Sequence, residues 1–261
     1  MNPPIRFDDG AAYERGMGQW SQLVGATFLD WLEPAPGQRW IDVGCGNGAF
    51  TELVIKHCAP AAIDGLDPSN GQLTFARTRP GAQTATFHLG DAHALPFADA
   101  SADIAVMALV IFFLDDPAAG LAEMRRVVRP GGTVAAYAWD IPGRSFPLEP
   151  VQAELRALGH TPVLPPNAAI ASTDALHAAF AAAGLVDLRQ RAIPVTRIFT
   201  DFEEFWTATL GIGSMSAAID ALEPDERVAL KDRVRASLPT DADGRVSYSA
   251  SANAIVGHVP A

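Results

Sequence analysis

The stretch Trp40-Ile41-Asp42-Val43-Gly44-Cys45-Gly46-Asn47-Gly48 constrains this chain more than any other. Arg39 to Val43 reads as a strand, and Gly48 to His57 as a helix with Phe50, Leu53, Val54 and His57 on one face. Glycines join the two. Glycine tolerates positive φ and has no Cβ, so a ligand can lie against bare backbone N–H groups at the helix start, where side chains would collide with it.

The same alternation continues to Asp140, as a parallel sheet with covering helices requires. Ala61 to Asp67 is a second strand ending in a carboxylate, and Ser69 with Gln72 forms a capping pattern for a helix toward Arg77. Thr84 to Leu89 and Asp103 to Ala108 are the third and fourth strands, the latter continuously apolar as a buried parallel strand should be. Asp116-Pro117 caps a helix to Val128, Pro130-Gly131-Gly132 stops it, and Thr133 to Asp140 is the fifth strand.

Beyond this core, residues 141–172 are rich in proline and small residues, with a short helix near Leu148 to Leu158, and read as an insertion or lid over the sheet. Thr173 to Ala183 is a helix closed by Gly184, and Pro194 argues for an edge position of the extended run Leu185 to Phe199. Helices over Asp201 to Leu210, Ser214 to Leu222 and Pro224 to Leu238 make residues 200–240 a second insertion, with Phe202, Phe205, Trp206 and Leu210 at helical spacing as a lid face or a core face. The alternation from Val246 to Val256 predicts a half-exposed final strand within 245–259. One domain is expected over 1–261, with 1–37 a helical cap and 38–140 the ligand-binding core.

Composition narrows the partners. A formal net charge of -11 repels phosphate-rich polymers and anionic membranes, so no nucleic acid and no membrane are expected. Met1 to Gly10 shows no signal pattern, and the longest apolar run, Ile104 to Leu114, is far below the ~20 residues that cross a bilayer. A cytoplasmic protein, monomer or homodimer, is expected. Cys45 and Cys58 form no framework and the histidines no cluster, so neither a disulfide nor a metal is expected.

By itself Gly44-x-Gly46-x-x-Ala49 also fits a dinucleotide fingerprint loosely. Asp42-x-Gly44-x-Gly46-x-Gly48 resembles the first motif of the class I methyltransferases, in which the turn, with Cys45 inside it, holds the amino-acid half of S-adenosyl-L-methionine. Asp67, inside Gly65-Leu66-Asp67-Pro68-Ser69, matches that family's acceptor for the ribose hydroxyls. Gly90-Asp91-Ala92-His93-Ala94-Leu95-Pro96-Phe97 followed by Asp103-Ile104-Ala105-Val106 resembles its third and fourth strands. The resemblance puts Asp91 on the adenine amino group, Ala92 on the ring, and Ala108 and Leu109 at the cofactor as well. An ionised acid only accepts and an exocyclic amine donates, so the pairing is complementary. Leu121-x-Glu123-x-x-Arg126-Val127-Val128-Arg129-Pro130-Gly131-Gly132 resembles the helix and turn before the fifth strand and supports the fold rather than the chemistry.

The resemblance covers roughly residues 38–140 and is greatest to the ubiquinone-biosynthesis-like (methyltransferase type 11) subgroup of small-molecule enzymes. It implies an α/β, Rossmann-like, doubly wound fold: a mostly parallel seven-stranded sheet with an antiparallel C-terminal strand and a helical insertion or lid. Val110-Ile111-Phe112-Phe113 departs from the subgroup, which often carries histidines there.

Methyl transfer from a sulfonium is an in-line displacement that loses positive charge, so alignment and exclusion of water matter most and a base is optional. His93 and Asp140 are the candidates for one; no orienting acid is evident for His93, and loop capping is an equal reading of Asp140. Neither is assigned as catalytic. Cys45 reads as a buried filler rather than a nucleophile. In related methyltransferases the segment before the first motif folds over the cofactor, so Tyr13 and Trp20 are expected to close the donor pocket. The function expected is methyl transfer to a small, partly apolar acceptor; a nicotinamide-dependent oxidoreductase and a non-catalytic S-adenosylmethionine-binding protein are the alternatives.

Overall fold

Trp40, Ile41 and Val43 are buried because β1 (Arg39–Val43) runs through the middle of a sheet covered on both faces. The structure, a computed structural model, describes residues 14–161 and 164–261. Around β1 stand β2 (Ala62–Asp67), β3 (Thr86–Leu89), β4 (Ala102–Ala108), β5 (Val128–Trp139), β6 (Val186–Phe199) and β7 (Val246–His258). Their order is β3-β2-β1-β4-β5-β7-β6, with β7 antiparallel to both its neighbours and the other pairings parallel. The order reverses between β1 and β4, and at such a switch point the loops diverge from the carboxyl edge and leave a crevice.

The covering helices are α1 (Gln19–Leu32), α2 (Ala49–Cys58), α3 (Asn70–Ala76), α4 (Pro117–Val127), α5 (Glu149–Ala157), α6 (Thr173–Ala182), α7 (Phe202–Leu210), α8 (Gly213–Asp220) and α9 (Pro224–Ser237). Ser69 and Asp116 cap their helices as expected, and Ser172 and Asp201 do likewise, each accepting a backbone N–H three residues on. A wide helical turn, Glu14–Gly18, precedes α1 where Gly16 and Gly18 weaken a regular helix. Helix α1 crosses α2 closely at Gly25, where a Cβ would come within 2.9 Å of Leu53 Cδ1. Phe28 stacks at 4.7 Å on Tyr137 of β5, so the N-terminal helix is part of the core. Among the described residues no helix is long and apolar enough to cross a membrane.

Two expectations are corrected, and one open alternative is narrowed. The segment Val128 to Gly132 does not merely stop a helix: it is already β5, pairing Val128 with Ala102 before an irregularity that admits Pro130 and the two glycines. The last strand is half-exposed only as far as Ser251; lying between β5 and β6, β7 is buried from Ala252 to Gly257. Residues 200–240 turn their aromatic face inward, with Phe205 against Phe199 at 5.2 Å, and none of their described residues lines the cleft at the carboxyl edge. Pro194 does stand on an edge strand, since β6 has only β7 beside it.

Glu123 and Arg126, one turn apart on α4, explain their motif. Arg126 grips both Glu123 oxygens at 2.7 and 2.8 Å, and donates to Asp99 (2.7 Å) and to the carbonyls of Phe97 (2.8 Å) and Leu95 (2.9 Å). Glu123 also accepts the Leu95 N–H at 2.8 Å. Arg126 above all, by its hydrogen bonds, holds the Glu123 carboxyl below its ordinary range. The pair therefore fastens the β3–β4 connection, which carries Asp91 to the cleft. Arg126→Met is expected to lower unfolding stability by about 1–3 kcal/mol in urea titration, with amide exchange accelerating first at residues 95–99.

Candidate active site

The cleft at the carboxyl edge starts from the glycine turn. Gly44, Gly46 and Gly48 have φ of +76°, +52° and +78°, in the region that glycine alone enters without strain. The Leu66 carbonyl accepts both the Gly44 and the Cys45 N–H, at 2.7 and 2.9 Å. One residue further, Asp67 Oδ2 accepts the Gly46 N–H at 2.9 Å and Oδ1 the Ser69 N–H at 2.8 Å. The end of β2 thus shapes the end of β1. A Cβ at Gly44 would meet both Val110 methyls at 2.6 Å, so this glycine makes room for the chain leaving β4. Residue spacing shows why a ligand needs the position bare but not this contact between chain segments.

Asp42 sits beneath the turn, 1% exposed. Its Oδ2 accepts the Thr51 hydroxyl at 2.6 Å, while Oδ1 is buried with no hydrogen-bond partner. Burial, opposed by the Thr51 hydrogen bond and aided by the Asp67 charge, pushes its carboxyl up to about 7. A buried acceptor without a donor is costly and calls for a ligand that donates or carries positive charge. Asp67 is likewise raised by burial, against the pull of the Ser69 and Gly46 N–H groups. Each of its oxygens retains acceptor capacity beyond the one bond it makes.

The cleft has a volume of about 660 Å³. Asp42, the turn residues Gly44, Cys45 and Gly46, and Asp67-Pro68-Ser69 line one side. Asp91-Ala92 and the β4 end, Ala108-Leu109, line it as well. Leu109 has a left-handed φ of +63°, rare for a residue with a side chain, and donates its N–H to Tyr137 O at 2.9 Å. Cys45 is buried, and burial with the Asp42 and Asp67 charges raises its thiol well above the ordinary value, which disfavours a thiolate there.

Other expectations are met differently. Trp20 does not reach the cleft: it is 3% exposed and packs on Trp139, Phe199 and Tyr248 at 6.1–6.4 Å, while the next residue, Ser21, lines the cleft from another face of the same helix. Tyr13 lies outside the described residues. His93 does have an orienting acid, Asp91, with Nδ1 2.6 Å from Oδ1. Its Nε2 accepts the Asp116 N–H at 3.4 Å, so both ring nitrogens are engaged. Asp140 caps its own turn by accepting the Gly143 N–H at 3.0 Å and does not line the cleft.

The remaining walls were not singled out in the sequence as site residues. Phe50, Phe113, Leu114 and Tyr137 come from α2, the turn after β4, and β5; Leu164 and Pro166 come from the 141–172 insertion. Their helical or strand spacing reads as core, and only the topology turns them toward a cavity.

Residues 41–136 match a protein family described as methyltransferase domain. The malonyl-[acyl-carrier protein] O-methyltransferase of Methylococcus capsulatus is 35% identical over 132 residues, 50% of this chain and 46% of that protein. The demethylmenaquinone methyltransferase of Renibacterium salmoninarum is 37% identical over 131 residues, 48% of this chain and 51% of that protein. The chain thus spans about half the length of these relatives. Among solved structures, a Haloferax volcanii protein in complex with the Trm112 methyltransferase activator superposes with a TM-score of 0.63 at 21% identity, over 99% of this chain and 98% of that one. Haemonchus contortus phosphoethanolamine N-methyltransferase 2, solved with S-adenosyl-L-methionine, gives 0.57 at 16% identity over 96% of this chain and 56% of that one. Residues 41–136 thus match the methyltransferase-domain family, and the fold of solved methyltransferase structures is shared along nearly the whole chain.

Proposed function

We propose that this protein transfers a methyl group from S-adenosyl-L-methionine to a small, largely apolar acceptor in the cleft at the β1–β4 switch point. The observation that carries the reading is the pair of strand-end acids flanking the glycine turn, Asp42 with a buried oxygen lacking a donor and Asp67 with acceptor capacity left. Asp42 suits the cationic amino group of the donor's methionine half, Asp67 the ribose hydroxyls, and Asp91 with Ala92 the adenine. When bound, S-adenosyl-L-methionine supplies an electrophilic methyl group on a sulfonium. A pyrophosphate at the same turn would face the Asp42 carboxylate, which disfavours the nicotinamide reading.

The apolar walls at Phe50, Val110, Phe113, Leu164 and Pro166 offer the acceptor a dry, shaped surface. Alignment and exclusion of water are what these residues contribute, since His93 has both nitrogens occupied and is not assigned as a base. The described cleft residues include Asp42, Asp67, Asp91 and Asp115 but neither lysine nor arginine, so an anionic acceptor is disfavoured. The reading extends to a cytoplasmic monomer or homodimer, in keeping with two buried, unbridged cysteines.

Isothermal titration tests the donor assignment. Asp67→Ala and Asp91→Ala are each expected to weaken S-adenosylhomocysteine binding, Asp67→Ala by ~30-fold or more, as lost charge-assisted hydrogen bonds imply. Unchanged affinity in folded variants refutes the assignment. The binding should also depend on pH: the amino group favours ionised Asp42, which is protonated below about pH 7 in the free protein. Affinity therefore rises as pH increases toward 7, by up to about tenfold per unit, and levels above it; Asp42→Asn should flatten the curve. In turnover assays, neutral phenolic or amine acceptors are expected to exceed their carboxylate-bearing counterparts, and equal rates would contradict the charge argument. Absence of turnover with every acceptor, despite donor binding, would favour a non-catalytic binding protein.

A further inference from the structure

The glycine turn is also held from behind, away from the cleft. Arg79, in the connection after α3, is 8% exposed, and its fork reaches three separate parts of the chain. Nε donates to Asn47 O at 2.6 Å, Nη1 to Glu52 Oε2 on α2 at 2.8 Å, and Nη2 to Glu14 Oε2 in the N-terminal turn. Glu14 further accepts from Asn47 Nδ2 at 2.9 Å and from Gln22 Nε2 of α1 at 3.2 Å. Glu52 Oε1 accepts the Gly81 N–H at 3.1 Å, anchoring the segment that carries Arg79.

The carbonyl that Arg79 holds belongs to the residue between Gly46 and Gly48, both at positive φ. That peptide is held at both ends, its Gly48 N–H donating to Cys45 O at 2.9 Å within the turn and its carbonyl taken by Arg79, so the guanidinium supplies the hold from outside a segment that its flanking glycines leave soft. A rigid guanidinium can meet a carbonyl and two carboxylates together, whereas the ammonium of a lysine cannot reproduce the fork. Asn47 lines the cleft and Arg79 does not.

We propose that Arg79 is a positioning residue for the donor: by fixing the Asn47 carbonyl, and by latching the Glu14–Gly18 turn to the glycine turn through Glu14, it presents the methionine half with preformed backbone. The proposal rests on the donor reading above. Its signature is selective, because the nucleoside end is held by Asp67 and Asp91, neither of which touches Arg79.

The test titrates the full chain and its R79K, R79M and E14Q variants with S-adenosylhomocysteine and, separately, with adenosine, alongside thermal melts. S-adenosylhomocysteine affinity is expected to fall by about tenfold to a hundredfold in both Arg79 variants and less in E14Q, as for a misplaced binding surface. Adenosine affinity should stay within about twofold, which general destabilisation would not allow. If R79M fails to fold, R79K and E14Q carry the same comparison. A parent that binds neither ligand overturns the donor reading and this proposal with it. A parent that binds both, with variants that keep S-adenosylhomocysteine affinity or lose both ligands equally, overturns the proposal alone.

Discussion

Asp67 is the joint on which the site turns. Its two oxygens accept backbone N–H groups from Gly46 and Ser69, and the preceding carbonyl, Leu66 O, accepts from Gly44 and Cys45. Two neighbouring residues at the end of β2 thereby satisfy four N–H groups. The same carboxylate faces the cleft, so the group that shapes the glycine turn is also the one offered to a ligand's hydroxyls. Burial raises its proton affinity and the two amides lower it, a balance that keeps an acceptor available in a largely enclosed place.

Around that joint the sheet order does the assembling. Because β4 lies beside β1 and not beside β3, the turn after β1 and the chain leaving β4 meet: Gly44 lies against Val110, and Leu109 takes a left-handed φ to direct the chain there. The wall from Val110 to Leu114 is apolar, and Leu164 and Pro166 extend it from the insertion. The resulting cleft combines acids at the ends of β1, β2 and β3 with a largely apolar wall. That combination suits a cationic donor and an acceptor stripped of water. On the far face Arg79 ties the turn to α2 and to the N-terminal turn, so the bare backbone between the strands is supported from both sides.

How far the sequence reading reached follows from the range of the interactions involved. Strands β1, β2 and β4 and the caps at Ser69 and Asp116 were legible because they depend on residues within a few positions. The extent of β5 was not, because a Pro-Gly-Gly segment reads locally as a stop and becomes strand only when Ala102 pairs with Val128. Trp20 and Ser21 illustrate the same limit: adjacent on one helix, they face the core and the cleft respectively, and the pattern shows that a face is buried without saying against what. For His93 the acid Asp91 stood two residues away, yet its orienting role appears only from the loop geometry that brings Oδ1 to Nδ1.

The sequence by itself determined the parallel core, the glycine turn, the three acids at strand ends and the family that residues 41–136 match, since each follows from residue type at short spacing. Tertiary structure decided where β7 is buried, which aromatic residues wall the cleft, and that Arg79 closes on Glu14, Asn47 and Glu52 across 65, 32 and 27 residues. Such contacts depend on which strand lies beside which and on how helices cross, and no local periodicity encodes that.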